Sequence, residues 1–376
     1  MTPSADRAAT RLATRLSFLA TGFAMACWAP LVPFAKARAG VDDGQLGLLL
    51  LCLGIGSIMA MPTTGVLSAR LGSKPMILGG GLGLVLLLPV LSIADNAYLL
   101  AVALLGFGAS LGTIDVAMNV HAVEVERAAA RPLMSGFHAL FSIGGFAGAG
   151  GMTFLLSVGV TPLAGALCGS ALTLVALLLA WPRLLEARGE PTPLVAPRGV
   201  VLLLAGLTAV TFLTEGAILD WSALFVIDAG LVGTAKGGLG YMLFSVAMTI
   251  GRLTGDRIVA RAGNVRVLAI GGGLAVAGLI VLLTVPVAPI AMAGFLLIGL
   301  GASNIVPVLF SLAGRQTAMP ATLAIAAVTT TGYAGILAGP AGIGLLAHAL
   351  DLHTAFWLLA ALMCLVPLFA RRAAKP

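Results

Sequence analysis

Phe18-Leu19-Ala20-Thr21-Gly22-Phe23-Ala24-Met25-Ala26-Cys27-Trp28 returns later in the chain as Phe212-Leu213-Thr214-Glu215-Gly216-Ala217-Ile218-Leu219-Asp220-Trp221, at an offset of 194 from its first residue and 193 from its last. Three further pairs follow in the same order. Arg70-Leu71-Gly72 returns as Arg261-Ala262-Gly263, Gly106-x-Gly108-Ala109-Ser110 as Gly299-x-Gly301-Ala302-Ser303, and Gly136-Phe137 as Gly332-Tyr333, at offsets of 191, 193 and 196. One such match in a chain holding 49 glycines would mean little; four in order at a nearly constant spacing describe a duplication.

The composition says which solvent the two copies meet. Sixty per cent of the 376 residues are apolar and 9% are charged, whereas soluble domains carry about a quarter charged residues. A membrane-crossing helix needs about 20 mostly apolar residues. Stretches of this kind occur at 14–36, 45–68, 75–94, 97–122, 133–157 and 160–182, then at 199–226, 236–260, 265–285, 288–312, 321–347 and 352–371. Alternation at β-barrel spacing is absent, which leaves the helical bundle. The expected fold is therefore an all-α membrane protein with twelve transmembrane helices in two six-helix bundles. Residues 1–182 form the N-terminal bundle and 199–376 the C-terminal one. Between them, 183–198 reads as a cytoplasmic linker, with charges and the prolines Pro191, Pro193 and Pro197. An offset of six spans keeps orientation, so the repeat is parallel, an arrangement used by secondary transporters.

The net charge of +7 follows the same topology. Counted alternately along the twelve spans, 18 of the 21 Lys and Arg fall on one side, Arg252 among them. The other side receives only Lys36, Arg38 and Lys236. Such a bias places both termini in the cytoplasm, here of a bacterial cytoplasmic (inner) membrane, and argues against a nucleic-acid partner. Cys27, Cys52, Cys168 and Cys364 lie far apart in apolar spans without metal spacing, and read as small buried residues. Arg7, Arg11 and Arg15 precede an apolar run too long for a secretory signal, which reads as an uncleaved first span.

Gly65-Val-Leu-Ser-Ala69-Arg70-Leu-Gly72-Ser73-Lys74 resembles the signature loop of the major facilitator superfamily, Gly-x-x-x-Asp-Arg-x-Gly-Arg-Lys/Arg. Gly255-Asp256-Arg257-Ile-Val-Ala-Arg261-Ala-Gly263 resembles its weaker second copy. The first copy departs from the pattern at Ala69 and Ser73. The resemblance implies gating by charge pairs in these loops, through Arg70, Gly72 and Lys74 and through Asp256, Arg257 and Arg261. Within the superfamily, Asp115-Val-Ala-Met-Asn119 and Glu215-Gly-Ala-Ile-Leu-Asp220-Trp221 are similar to the fucose-permease-related branch of proton-coupled sugar symporters. That branch also places an acid on the first span, where this chain has Thr21 and Cys27.

Ionisable groups inside a span are expensive and ask for a reason. Gly108, Gly112, Asp115 and Asn119 fall on one helical stripe, expected to face the bundle interior or a water-filled cavity. Asn119, one turn from Asp115, would share a ligand or bond the carboxylate. On span seven, Thr208, Thr211, Glu215 and Ser222 share a face, and Asp220 stands about 140° away from Glu215. Glu215 is the deeper proton or solute ligand, while Asp220 approaches the outer surface, where it would pair with an outer-face group. His138 would relay protons or close an inner gate with Glu124 or Glu126, and His121 is a weaker candidate. Asn304 precedes Pro307 on span ten, where a broken helix would line a site. Trp28 would stack on a sugar ring or anchor the span at the interface.

Gly144-Gly145-Phe-Ala-Gly148-Ala-Gly150-Gly151 carries small-xxx-small spacing for close helix packing. Drug antiporters of the superfamily carry a Gly-Pro motif on span five; here the similar Gly339-Pro340 lies on span eleven. The expected function is a secondary transporter for a small solute, working by alternating access with possible proton symport of a sugar or other polar metabolite. The protein would work as a monomer in the lipid bilayer and need no cofactor or metal. Efflux of an amphipathic compound is the alternative. An intramembrane enzyme using His138 or Asp115 is the third reading, and neither HExxH nor GxSxG is present.

Overall fold

A computed structural model describes residues 8–129, 133–185, 196–319 and 321–374, apart from the side chains of residues 69, 127, 134, 135, 256, 321, 322, 325, 326, 337 and 338. The chain is an all-α membrane protein of twelve transmembrane helices. In order they are α1 (Ala8–Ala39), α2 (Asp43–Leu71), α3 (Ser73–Ile93), α4 (Ala97–Ala129), α5 (Met134–Ser157) and α6 (Pro162–Ala180). Then come α7 (Val200–Asp228), α8 (Leu239–Ala262), α9 (Asn264–Thr284), α10 (Ala288–Arg315), α11 (Ala321–Ala349) and α12 (Leu352–Ala373). Among the described residues, ten of these segments are long and apolar enough by themselves to cross a membrane. The charged α8 and the glycine-rich α11 complete the set.

The chain divides into two compact units. One comprises Met1–Asp42, Leu49–Pro191 and Thr234–Met242; the other comprises Asp43–Leu48, Thr192–Gly233 and Leu243–Pro376. Most of the stretch read as a linker, residues 186–195, lies outside the described residues.

Helix breaks follow the backbone chemistry of proline and glycine. Pro30 and Pro33 have no N–H to give to the preceding turn, and α1 tightens to a 3-10 segment at Ala29–Leu31 before resuming. Pro307 likewise leaves the carbonyl of Ser303 without its helical partner. Accordingly α10 runs as Ala288–Ala302 and Ile305–Arg315, with a break at Ser303 and Asn304. The turns into α3 and α9 hinge on Gly72 (φ 86°) and Gly263 (φ 78°), corresponding positions of the repeated loop. With ψ of 164° and 160° both lie in a region essentially confined to glycine, which costs a residue with a Cβ about 1–3 kcal/mol, so both loops need these glycines for their geometry.

Within each unit the same seam recurs. A bilayer supplies no hydrophobic drive between helices, so association depends on close van der Waals contact at small residues. In the first unit Gly22 of α1 lies against the carbonyl of Phe141 on α5, and Gly144 against that of Leu19. In the second, Gly216 of α7 lies against Ile336 on α11, and Gly339 against Leu213. These pairs correspond through the repeat. So do the ring pairs Phe18–Phe137 (centroids 5.9 Å apart) and Phe212–Tyr333 (6.0 Å). The duplication is thus visible in packing as well as in residue spacing.

Candidate functional site

Glu215 is the sixteenth residue of the 29-residue α7, so it stands about 20 Å from either end at 1.5 Å per residue. Its Oε2 lies 3.8 Å from Nη2 of Arg252 on α8. The two side chains are only 19% and 24% exposed, and Oε1 of Glu215 is buried with no hydrogen-bond partner. Counted with the loop cations from sequence, Arg252 instead stands well inside α8, more than two turns before its end. A guanidinium there is tolerated because a carboxylate faces it. Well-formed charge-assisted bonds of this kind run at about 2.7–2.9 Å. This pair is looser, and neither partner's bonding capacity is met by the other.

The break in α10 sets the position of Arg252. Asn304 Nδ2 donates to the carbonyl of Gly251 at 3.0 Å and contacts Ser303 Oγ at 3.0 Å. Gly251 and Gly255, one turn apart on α8, leave room for Ser303 and Asn304. Asn304 therefore pins the α8 turn that carries Arg252, a task that its place ahead of Pro307 did not reveal.

Two more side-chain oxygens on α7 are buried without partners. Ser222, two turns beyond Glu215 on the same face, has an unpaired Oγ. Asp220 is 6% exposed and its Oδ1 is unpaired, so the expected pairing with an outer-face group is replaced by burial. It lies about 40° around the helix from Gly216, on the side of α7 that packs against α11. By contrast, the hydroxyls of Thr208, Thr211 and Thr214 all bond carbonyls one turn back on their own helix.

In the first unit, Asp115 is half-buried near the middle of α4, and Asn119 Nδ2 donates to its backbone carbonyl at 2.9 Å and approaches its Oδ1 at 3.5 Å. The glycines of the same stripe do not face open space. Gly108 presses on Leu53 and Gly112 on Ser57, both of α2, because a residue without Cβ is what lets two backbones meet. Trp28 is 1% exposed with its indole nitrogen unpaired, as is that of the corresponding, fully buried Trp221. An enclosed ring is neither an interfacial anchor nor an open stacking face, so both tryptophans are core residues here.

His138 is exposed and packs edge-on against Phe18 (5.0 Å, 72°), while Glu126 accepts the backbone N–H of Leu133 at 2.6 Å. His121 is better tied than its sequence context indicates. Its Nε2 accepts the backbone N–H of Leu185 at 2.9 Å, and its Nδ1 lies 3.1 Å from Thr14 Oγ1. Since Nε2 is the acceptor and the Thr14 hydroxyl donates to Thr10, the Nδ1 nitrogen carries the proton. Ser73 Oγ also bonds the carbonyl of Leu185 at 3.3 Å. The chain just beyond α6 is thus held by a histidine and by the serine that replaces the usual basic residue of the loop. Arg70, Arg257 and Arg261 are exposed and Lys74 is half-buried. The side chain of Asp256 lies outside the described residues. No cluster of three metal-ligating side chains occurs among the described residues.

Known proteins share this architecture. The chain is 51% identical to an uncharacterized MFS-type transporter of Yersinia pestis over 96% of its own length and 95% of that protein's. It is 35% identical to an uncharacterized transporter of Sinorhizobium fredii over 94% and 95% of the two chains. The crystal structure of the nucleoside transporter NupG superposes with a TM-score of 0.76 at 11% identity, covering 98% of this chain and all of that one. That likeness establishes the fold. The model of the Major Facilitator Superfamily matches residues 16–322, and with the twelve helices, the repeated seam and the paired glycine loops this places the chain in the major facilitator superfamily.

Proposed function

We propose that this protein is a proton-linked symporter of a small polar metabolite, with Glu215 and Arg252 as the centre of its solute and proton site. The observation that carries the reading is the loose carboxylate–guanidinium pair midway along α7, which keeps one carboxylate oxygen unpaired. Buried polar atoms are normally satisfied. A family that moves solutes gives this exception a use, because a solute or a proton completes the unmet bonds. Asp115 with Asn119 on α4 is a second carboxylate able to take part in proton movement. Under the same reading, the bundles are 1–182 and 199–376, joined by the linker 183–198. The chain lies in the inner membrane with both termini cytoplasmic, as the bias of its Lys and Arg supports.

The test is transport by the purified protein in liposomes loaded with a pH-sensitive dye, screened against sugars, organic acids and amphipathic drugs. The expected result is internal acidification on external addition of one polar solute, abolished by Glu215→Gln. Solute entry with no proton movement would remove the coupling. Acidification unchanged in Glu215→Gln and Asp115→Asn would remove the site. Efflux of an amphipathic compound is the second reading, disfavoured by the place of Gly339-Pro340 on α11 rather than on α5, and the drug arm of the screen tests it.

A further inference from the structure

We propose that an open groove between α7 and α12 holds an anionic phospholipid, with one acyl chain in the groove and the head group on Arg198, Arg371 and Arg372. The site is separate from Glu215 and does not rest on the solute reading.

The groove starts where the two helices leave the membrane. The first turns of α7, from Gly199 to Val210, form one wall, and Leu365 and Phe369 of α12 form the other, around about 500 Å³. No lining side chain is polar, so the groove suits hydrocarbon and offers a polar solute nothing to bond. From Gly199 to Val210 the wall rises about 16 Å at 1.5 Å per residue. That is half of the roughly 30 Å hydrocarbon core, or one leaflet. Farther along, α7 is enclosed: every residue from Gly216 to Val226 is buried. A helix of a second copy would cross both leaflets and find only the first one open, whereas an acyl chain needs one. Within the groove Leu202 is 60% exposed, and a Cβ on Gly206 would meet no atom within 4 Å.

The mouth of the groove is basic. Arg198 directly precedes it, Arg371 and Arg372 occupy the last turn of α12, and all three are exposed. The Arg372 guanidinium stands over the ring of Phe369, a wall residue, 5.5 Å from its centroid. A guanidinium stacked on a ring keeps its edge N–H groups for phosphate oxygens. Hydrocarbon wall and phosphate donor therefore meet at one pair of side chains, in the order in which a phospholipid presents its chain and its head. The stretches flanking the groove, residues 186–199 and 365–376, carry five Lys and Arg against Glu186 and Glu190. Those two acids lie outside the described residues, and the excess stays positive with both counted. The next acid along α7 is Glu215, more than a turn past Val210. A zwitterionic head group would bring its own cation to this basic edge, and an anionic one brings none.

The experiment titrates three probes into the full chain purified in detergent: dioleoyl phosphatidylglycerol, dioleoyl phosphatidylcholine and glycerol 3-phosphate. Native mass spectrometry counts the retained molecules, and thermal shift reads their affinity. One phosphatidylglycerol should be retained per chain, saturably. Phosphatidylcholine should match its thermal shift only at concentrations on the order of a hundredfold higher, from about fivefold for each arginine. Arg371→Gln combined with Arg372→Gln should cut that preference to about fivefold. Arg15→Gln, which removes an exposed arginine of the other unit, should leave it unchanged. Gly206→Phe should fill the groove and abolish retention, with the unfolding temperature in lipid-free detergent little changed. Equal response to the two lipids, or a count that rises without saturating, describes an ordinary lipid annulus and overturns the proposal. Retention that survives Gly206→Phe overturns the groove as the seat of the chain. A response to glycerol 3-phosphate equal to that of the lipid makes this a free-anion site and overturns it as well. A preference lost in Arg15→Gln belongs to the overall charge of the protein and overturns the assignment to these three arginines.

Discussion

Helices α1 and α7 are the two copies of one element; their threonines bond alike, and they part company where α7 carries Glu215, Asp220 and Ser222. On α1 the hydroxyls of Thr14, Ser17 and Thr21 all bond carbonyls one turn back, at 3.1, 2.9 and 2.8 Å. Thr21 occupies the place of Glu215. On α7, three carboxylate or hydroxyl oxygens, of Glu215, Asp220 and Ser222, are buried with no partner. Each unsatisfied buried group destabilises by about 1–3 kcal/mol, more when charged. At the positions that correspond to these three, α1 carries Thr21, Cys27 and Ala29, and no unmet carboxylate or hydroxyl oxygen. The packing is duplicated, and the unmet carboxylate and hydroxyl oxygens are not.

The strongest way to break this comparison is to remove one member of the pair. Arg252→Gln leaves Glu215 alone and should destabilise the protein by about 3–5 kcal/mol, read as a fall in unfolding temperature in detergent. Adding Glu215→Thr, which copies α1 onto α7, should restore most of that stability while transport stays at background. Recovery of transport in the double variant would show that the pair is scaffold after all.

The next largest effect probes the seam. A Cβ on Gly22 would run into the carbonyl of Phe141, whereas one on Gly216 would stand 3.3 Å from that of Ile336. Gly22→Ala should therefore lose about 1–3 kcal/mol, the usual range for overpacking, and Gly216→Ala clearly less. Equal losses would mean that the two seams are not distinguished by packing. The loops should instead behave alike: Gly72→Ala and Gly263→Ala should each destabilise by about 1–3 kcal/mol, since both need positive φ.

The smallest effect separates the caps of the last helix in each half. Thr161 caps α6 through a hydroxyl that accepts the N–H of Ala164, while Asp351 caps α12 by accepting the N–H of Thr354 at 2.6 Å. That N–H and the Thr354 hydroxyl hold the Asp351 carboxyl below its ordinary range. A carboxyl lowered on folding contributes stability above its unfolded value and loses it as pH falls through the folded one. Acidification below about pH 4 should therefore weaken the α12 cap and leave the α6 cap unchanged, read by amide exchange at the two helix starts. Asp351→Asn should remove the difference.

The candidate site was half legible. Glu215, Asp220 and Asp115 stand out in sequence because a carboxylate in an apolar span is rare for a physical reason. The partner of Glu215 was hidden, since Arg252 sits 37 positions away and reads equally well as one more inner-loop cation. The stripe Gly108, Gly112, Asp115 and Asn119 shows why spacing alone misleads. Small residues mark a cavity wall and a helix seam with the same pattern, and here the glycines serve the seam.

Span number, the repeat and the membrane as solvent came from the chain alone, because hydropathy and periodicity are summed over neighbours in sequence. Which residues meet was settled by folding: Arg252 with Glu215, Asn304 with the Gly251 carbonyl, His121 and Ser73 with Leu185. A helix offers a direction for every residue, and the bilayer penalises a buried charge equally whatever its partner. Only the packing of one helix against another selects the direction that becomes a contact.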